Sequence, residues 1–131
     1  MNMTVFKDFS YGTHERQKAD IYIPEKPVSQ SGLILFIHGG GWTEGDKSCH
    51  ASDAEFFSGL GYICAAINYR YVSKSINVHH VLDDVTSSLN TIKQKCSEYG
   101  CNINELIYIN RISDIESKLN GYQRGKVMEE G

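Results

Sequence analysis

The sequence lacks long hydrophobic runs and a large excess of charge of either sign. Its longest apolar runs, LILFI and ICAAI, have five residues each, far short of the about 20 that cross a membrane as a helix. Its 13 basic and 16 acidic residues give a formal net charge of −3, with no basic face of the kind that binds nucleic acid. We therefore expect neither a membrane nor a nucleic-acid partner.

Targeting signals and metal-binding patterns are missing as well. The N-terminal MNMTVFKDFSYG has no basic region followed by an apolar one, so we expect no secretory signal and a cytoplasmic location. Cys96 and Cys101 form no C-x-x-C pair and have no histidine near enough for a zinc site, so the cysteines are interpreted as reduced structural thiols. His79 and His80 would point in different directions on a helix and are interpreted as ordinary helix residues. We expect no metal and no cofactor.

What the sequence does contain is an alternation of strand-like and helix-like segments. Continuous apolar runs in SGLILFIHGG and YICAAINYRY predict strands buried on both faces, and NELIYIN predicts a last strand. TVFKDFSYG and KADIYIPEKP predict two earlier strands, the second with Ala19, Ile21 and Ile23 on one face. The resulting order, β-β-β-α-β-α-β, indicates an α/β fold with a mostly parallel sheet of about five strands and an antiparallel N-terminal hairpin.

Two helices separate the later strands. SDAEFFSGLGY predicts a short helix capped by Ser52, with Glu55 three residues on and glycines at its end. A longer helix is predicted to follow the N-cap Asn77 and to end at Gly100. Its apolar residues have the spacing of one buried helix face: Val78, Val81, Leu82, Val85, Leu89, Ile92 and Cys96.

The pentapeptide HGGGW follows the third predicted strand, at the carboxyl ends of the strands where α/β proteins bind their ligands. Glycines there allow backbone N–H groups to turn inward and form an oxyanion hole, which stabilises the charge that develops on a carbonyl oxygen during acyl transfer. A plain glycine-rich turn and a phosphate loop are the alternatives. The phosphate loop is the least favoured, because neither G-x-x-x-x-G-K-[ST] nor G-x-G-x-x-G is present.

LILFIHGGGW, followed by EGDK, resembles the HGGG oxyanion motif of α/β-hydrolase carboxylesterases and lipases, including BD-FAE-like esterases. GYICAAINYRY is similar to the family's fourth strand, and the resemblance covers roughly residues 8 to 109. It implies an incomplete α/β-hydrolase fold, of which only the N-terminal portion is present. It also implies that the full-length family hydrolyses small carboxylic esters through an acyl-enzyme.

The resemblance also implies roles for the residues of the loop. Gly40 and Gly41 would carry the oxyanion-hole N–H groups, while His38 and Gly39 would support the loop. His38 would shape the loop and would not act as the catalytic base. Trp42 would form a wall of the pocket, although a lone aromatic residue is equally expected in core packing.

A charged pair completes the implied site. In the family, Asp84 on the long helix would lie near Arg70 after the fourth strand and brace the site. The alternative is a surface ion pair, which is worth under about 1 kcal/mol. The sequence leaves both interpretations open.

The family's nucleophile motif, G-x-S-x-G, is absent after the fifth strand. The register places Ser113 at the nucleophile position, but Arg111 and Ile115 stand where the glycines belong. SDIE is also a capping box, which favours Ser113 as a helix N-cap. All five histidines precede Ser113, and no later strand carries an acid or a base, so we expect little or no esterase activity from this chain alone.

Two segments follow from these patterns: residues 1–109 as the N-terminal half of an α/β-hydrolase domain, and 110–131 as a divergent charged tail with a short helical pattern. The abrupt change suggests a truncated or frameshifted product. Two other functions stay open. One is a non-catalytic interaction module that pairs, or self-associates, through the exposed edge of strand five. The other is an enzyme of different layout that uses Ser113 with His38 or His79.

Overall fold

Five strands and two α-helices follow the predicted order in residues 3–110, the part of the chain that this computed structural model describes. A short 3₁₀ helix, Lys47–His50, precedes the first α-helix. The elements are β1 Met3–Ser10, β2 Lys18–Pro24, β3 Gly32–Ile37, α1 Ala51–Gly59, β4 Ile63–Ile67, α2 Val78–Ser97 and β5 Glu105–Asn110.

The strands form one sheet in the order β1-β2-β4-β3-β5. Strand β3 is parallel to β4 and β5, whereas β2 is antiparallel to both of its neighbours, β1 and β4. Among the described strands β2 alone therefore runs against the other four. The prediction of a mostly parallel sheet with an antiparallel N-terminal hairpin is confirmed.

The core lies on both faces of the sheet. Helix α2 covers one face, where its residues Val81, Ile92 and Cys96 join a cluster that includes Ala19, Ile21 and Ile23 of β2. Helix α1 covers the other face, where Ala54 joins Tyr22, Ile34, Phe36, Cys64 and Ala66. Strands β3 and β4 are thus buried on both faces, as their continuous apolar runs predict. Each fully buried aliphatic side chain contributes about 1.5–3 kcal/mol.

The predicted cap of α1 is wrong. Ser52 lies inside the helix, and the chain begins to coil earlier, at the 3₁₀ helix whose N-cap is Asp46. The Asp46 carboxylate accepts a hydrogen bond from the Ser48 N–H at 2.9 Å, which satisfies one of the free donors at the start of the coil. The glycine ending is confirmed, since Gly61 has φ +102° just after the helix.

The predicted start of α2 is confirmed, and His80 completes it. The Asn77 side chain accepts from the His80 N–H at 3.2 Å, while the His80 Nδ1 accepts from the Asn77 N–H at 2.9 Å. This reciprocal capping box satisfies two backbone donors. His80 is therefore more than an ordinary helix residue, whereas His79 is exposed on the first turn.

The predicted buried face of α2 is partly wrong. Val78 and Leu82 are 45% and 51% exposed, while Asp84 and Ser88 are buried in the face toward the sheet. Asp84 turns inward because a buried network of hydrogen-bond donors holds its carboxylate, as described below. Val78 and Leu82 therefore face outward, whereas Val81 remains in the core.

The buried cysteines have the properties of structural thiols. Burial raises the pKa of the Cys64 and Cys96 thiols to about 12, which keeps them protonated and suits a structural role.

No helix in residues 3–110 is long and apolar enough to cross a membrane. Ser113, its neighbours and the rest of the segment 111–131 lie outside the described residues, so the nucleophile register and the tail stay predictions.

Candidate active site

The HGGGW loop follows β3 directly and has an unusual backbone. Three consecutive residues have positive φ: Gly40 at +121°, Gly41 at +64° and Trp42 at +72°. The Gly40 carbonyl accepts hydrogen bonds from the N–H groups of Thr43 and Glu44, both at 3.2 Å, which closes the loop into a tight turn. A positive φ costs a residue other than glycine roughly 1–2 kcal/mol, so Trp42 holds its conformation at the expense of stability.

Gly40 and Gly45 require glycine for lack of space. A Cβ on Gly40 would lie 2.1 Å from the Glu44 carbonyl oxygen, and a Cβ on Gly45 would lie 2.2 Å from that of Gly39. At Gly41, by contrast, a Cβ would meet no atom within 4 Å. Gly40 and Gly45 are therefore closely packed, while Gly41 lies on the open side of the loop.

The backbone N–H groups of Gly40 and Gly41 have no hydrogen-bond acceptor in residues 3–110. Gly41 is exposed and Gly40 is partly exposed, so solvent or a ligand can supply the acceptor for these two adjacent donors. They belong to the two residues that the family resemblance names as oxyanion donors.

The imidazole of His38 is buried and both of its nitrogens are engaged. Its Nδ1 lies 2.7 Å from the Gly39 carbonyl oxygen, and its Nε2 lies 3.1 Å from Nη2 of Arg16. A guanidinium group can only donate, so Nε2 accepts and Nδ1 carries the proton that it donates to Gly39. Burial lowers the pKa of His38, and the charge of Arg16 lowers it further. The neutral ring supports the loop, and neither nitrogen is available as a base.

Arg16 is the residue that the sequence reasoning missed. Its Nη2 also donates to the Gly45 carbonyl at 3.2 Å, its Nε donates to the Tyr69 carbonyl at 3.1 Å, and its guanidinium stacks 3.9 Å above the centre of the Tyr71 ring. These partners lie between 22 and 55 residues away in sequence. No local pattern could have identified it, because the contacts exist only once the sheet is assembled.

The EGDK and NYR sequences interlock through Asp46 and Asn68. The Asn68 side chain donates to Oδ1 of Asp46 at 3.0 Å and accepts from the Lys47 N–H at 2.8 Å. Nη1 of Arg16 reaches the same Asp46 oxygen at 3.4 Å. Burial raises the pKa of Asp46, but hydrogen bonds from Ser48 and Asn68 outweigh it and lower the pKa to about 2. The carboxylate therefore stays charged and fixes the far end of the loop.

Lys47 ties this end of the loop to the N-terminal hairpin. Its Nζ lies 3.1 Å from Asp20 and 2.7 Å from Asp8, and the side chains of Lys47 and Asp20 are only 9% and 5% exposed. Burial lowers the pKa of Lys47, but hydrogen bonds to Asp8 and Asp20 outweigh it and raise the pKa. The buried ammonium is thus compensated by two carboxylates, as a buried charge requires.

The structure brings Arg70 and Asp84 together. Arg70 donates from Nε at 3.1 and 3.0 Å, from Nη2 at 2.8 Å and from its backbone N–H at 2.9 Å, and Gln17 adds a bond at 2.9 Å. Asp84 is only 1% exposed, so this is no surface ion pair. Burial raises the pKa of Asp84, but the bonds from Arg70 and Gln17 outweigh it and lower the pKa. The pair joins α2 to the segment after β4.

The contacts of Trp42 are mainly packing contacts with neighbouring side chains. Its ring centroid lies 5.8 Å from that of Tyr69, and its indole is partly buried against the core cluster under α2. Its carbonyl accepts from the Val72 N–H at 2.8 Å, which links the loop to the segment after β4. The packing interpretation therefore has direct support, and a role as pocket wall stays a prediction. Residues 3–110 contain no group of three or more His, Cys, Asp or Glu side chains that could hold a metal ion.

The profile of the BD-FAE family matches residues 19–111, which include the whole loop and all of the interacting residues described above except Asp8, Arg16 and Gln17. The chain belongs to the BD-FAE family. It is 37% identical over 97 residues to the probable carboxylic ester hydrolase LipM of Mycobacterium tuberculosis, covering 71% of this chain and 22% of that protein. It is 26% identical over 102 residues to a probable isoprenylcysteine alpha-carbonyl methylesterase, ICME, of Oryza sativa subsp. japonica, covering 78% of this chain and 24% of that protein.

Solved structures show the fold of this BD-FAE chain. Esterase B of Lactobacillus rhamnosis superposes with a TM-score of 0.66 at 18% identity, over 82% of this chain and 35% of the esterase. Native esterase 2 of Thermogutta terrifontis superposes with a TM-score of 0.62 at 24% identity, over 82% of this chain and 39% of the esterase. The fold is thus the N-terminal portion of an α/β-hydrolase. The chain spans less than a quarter of the length of the two curated relatives named above.

Proposed function

We propose that this BD-FAE chain forms the oxyanion-binding half of a carboxylic ester hydrolase, with the N–H groups of Gly40 and Gly41 as the donors. The observation that carries the proposal is the state of these two groups. They lack an acceptor in residues 3–110, and they lie side by side where Gly40 is closely packed and Gly41 is open to the outside of the loop. A plain glycine turn would need neither the positive φ of Trp42 nor the buried polar network beneath the loop.

The chemistry is that of acyl transfer. When a nucleophile attacks an ester carbonyl, negative charge develops on the carbonyl oxygen, and preorganised N–H donors stabilise it. One such donor is worth about 2.7–4 kcal/mol of transition-state stabilisation. The ion pair of Arg70 and Asp84 holds the segment whose Val72 N–H donates to Trp42, and this supports the bracing role that the resemblance implies.

A complete hydrolase also needs a nucleophile, a base and an acid, and the described residues offer no free histidine beside the loop because both nitrogens of His38 are engaged. We expect residues 1–131 alone to hydrolyse p-nitrophenyl acetate no faster than a Ser113→Ala variant or a heat-denatured sample. A rate that is well above both and is lost on Ser113→Ala would instead support the enzyme of different layout.

The donors themselves are tested in a chimera. Residues 19–109 replace the matching segment of the Mycobacterium tuberculosis relative, and circular dichroism checks that the chimera folds. Replacing the Gly40 or Gly41 amide by an ester removes one N–H without adding a side chain. Loss of one oxyanion donor should lower kcat by about 10²–10³-fold. The same replacement at exposed Ser75 serves as the control. Unchanged kcat at both glycines would contradict the proposal.

A second candidate function has its own observation. In the described residues β5 pairs on one side only, with β3, and Ile107 on it is 40% exposed. An open strand edge is a template for pairing with another chain. Light scattering would then show a dimer that Ile107→Pro abolishes, because proline removes an edge N–H donor. A concentration-independent monomer would exclude self-association through this edge.

A further inference from the structure

We propose that Arg16 is a positioning residue that orients the Gly40 N–H, acting through His38 and the Gly39 carbonyl. The role of that N–H as an oxyanion donor rests on the proposed function, whereas the orienting itself does not. Arg16 lies just before β2, in the connection that follows β1, and makes no contact with Gly39 or Gly40. Its influence passes through two contacts, Arg16 to His38 and His38 to Gly39, and then through the Gly39–Gly40 peptide group.

The first step is the fixing of the guanidinium. Arg16 donates to the carbonyls of Gly45 and Tyr69 and to the carboxylate of Asp46, and its plane lies on the ring of Tyr71. Its side chain is only 15% exposed. Bonds in several directions together with stacking leave the planar group one orientation, which a lysine ammonium could not reproduce.

The second step is the choice of the His38 tautomer. A neutral imidazole has one donor and one acceptor nitrogen, and the hydrogen bond made by one nitrogen sets the role of the other. Because Arg16 donates to Nε2 at 3.1 Å, the proton resides on Nδ1. Stacking on Tyr69, with 4.4 Å between centroids and 11° between planes, holds the ring in its own plane.

The third step is the orientation of a peptide group. Nδ1 of His38 donates to the Gly39 carbonyl at 2.7 Å, and Gly45 packs closely against both atoms of this hydrogen bond. The Gly39 carbonyl and the Gly40 N–H belong to one planar trans peptide, so they point in opposite directions. Fixing the carbonyl toward His38 therefore aims the Gly40 N–H away from it. With the other tautomer, Nδ1 would lose its proton and repel the carbonyl.

The full chain, labelled with ¹⁵N, tests these steps without any enzyme assay. The imidazole ¹⁵N shifts of His38 should show the Nδ1–H tautomer. Arg16→Met keeps the aliphatic stem but removes every donor, so the tautomers should mix, the pKa of His38 should rise, and the Gly40 amide signal should shift. Lys74→Met is the control, since it removes an exposed cation that has no contact with His38. It should leave the His38 and Gly40 signals in place.

The wild-type chain provides a second measurement that does not depend on whether the variant folds. The titratable or charged groups near His38 are Arg16, Asp46, His50 and Tyr69. Because these groups could also change the Gly40 amide signal, the titration of His38 is measured on its own ring signals. Protonation puts a second donor against Arg16, and the Gly40 amide should therefore shift with the same midpoint as the ring. A Gly40 amide that stays constant while His38 titrates, or an unchanged tautomer in Arg16→Met, would overturn the proposal.

The consequence for turnover is measured separately in the chimera, into which residues 11–109 are transferred so that Arg16 is included. Misplacing a catalytic group by about 1 Å can cost about 10²-fold. We expect Arg16→Met to lower kcat by about 10- to 100-fold with KM little changed. If the ¹⁵N signals respond to Arg16→Met while the Gly40 and Gly41 esters leave kcat unchanged, the positioning stands and the proposed donors fall.

Discussion

The imidazole of His38 lies flat on the phenol ring of Tyr69, whose hydroxyl donates to the backbone carbonyl of His38 at 3.0 Å. One residue follows β3 and the other follows β4, so this contact joins the ends of two parallel strands beneath the glycine loop. Burial raises the pKa of Tyr69 to about 12, which keeps the hydroxyl protonated as a donor throughout the neutral range. Tyr69 therefore contributes to the stability beneath the loop in two separable ways, by stacking on the His38 ring and by its hydrogen bond to the His38 carbonyl.

Substitutions at Tyr69 should separate these contributions. Tyr69→Phe keeps the ring but leaves the buried His38 carbonyl without this donor, and we expect a loss of about 1–2 kcal/mol. Tyr69→Ala removes the ring as well and should cost about 3–5 kcal/mol. Urea denaturation followed by circular dichroism measures both. Equal losses would show that the stacking contributes nothing.

Alanine substitutions at Gly41 and Gly45 form a matched pair. Both residues have positive φ, but only at Gly45 would the new Cβ collide with backbone, 2.2 Å from the Gly39 oxygen. Gly41→Ala should cost about 1 kcal/mol, or roughly 4 °C in Tm for a domain of this size. Gly45→Ala should lower Tm by at least twice as much. Thermal melts that show equal shifts would contradict the packing described for Gly45.

Asp84→Asn should be strongly destabilising. The substitution keeps the shape of the side chain but leaves Arg70 without its counter-charge, and breaking a buried pair on one side costs about 3–5 kcal/mol. The neighbouring Asp83 is exposed, so Asp83→Asn removes the same charge at the surface and should change stability by less than about 0.5 kcal/mol. Equal urea midpoints for the two variants would refute a structural role for the pair.

The stability of the chain should depend on pH through His38. Burial and the neighbouring Arg16 lower its pKa in the folded state below the ordinary value of 6.5, so the unfolded chain takes up a proton first as the pH falls. The stabilisation is thus complete above pH 6.5 and is lost as the pH drops toward the lowered pKa. The difference in urea midpoint between wild type and His38→Gln should shrink between pH 7.5 and 5. A constant difference would exclude this linkage.

The order of the elements could be predicted because each has a clear local signal. The runs of β3 and β4 are apolar throughout, and Asn77 is a good N-cap, although its partner His80 was not predicted. The errors have local causes too. Ser52 is a plausible cap in isolation, but Asp46 starts the coil earlier because Ser48 and Asn68 both donate to its carboxylate. Apolar periodicity likewise could not show that Asp84 faces inward.

The site could be predicted only in part. HGGGW has a recognisable composition and position, so the loop was placed correctly at the end of β3. Arg16 has no distinctive neighbours in the sequence, and what makes it important is that His38, Gly45 and Tyr69 converge on it in space. The positive φ of Trp42 is equally invisible in a sequence, because tertiary contacts impose it against the preference of the residue.

The contacts that hold the loop also determine when it can form during folding. The Tyr11 hydroxyl donates to the backbone carbonyl of Asn68, 57 residues away, and the Gln17 amide donates to Asp84, 67 residues away. The entropy of closing these long segments must be overcome before either bond forms. Helix α2 depends on near neighbours and should appear earlier. Trp42 is the only tryptophan in the chain, and its fluorescence should therefore change in refolding after the helical signal has recovered.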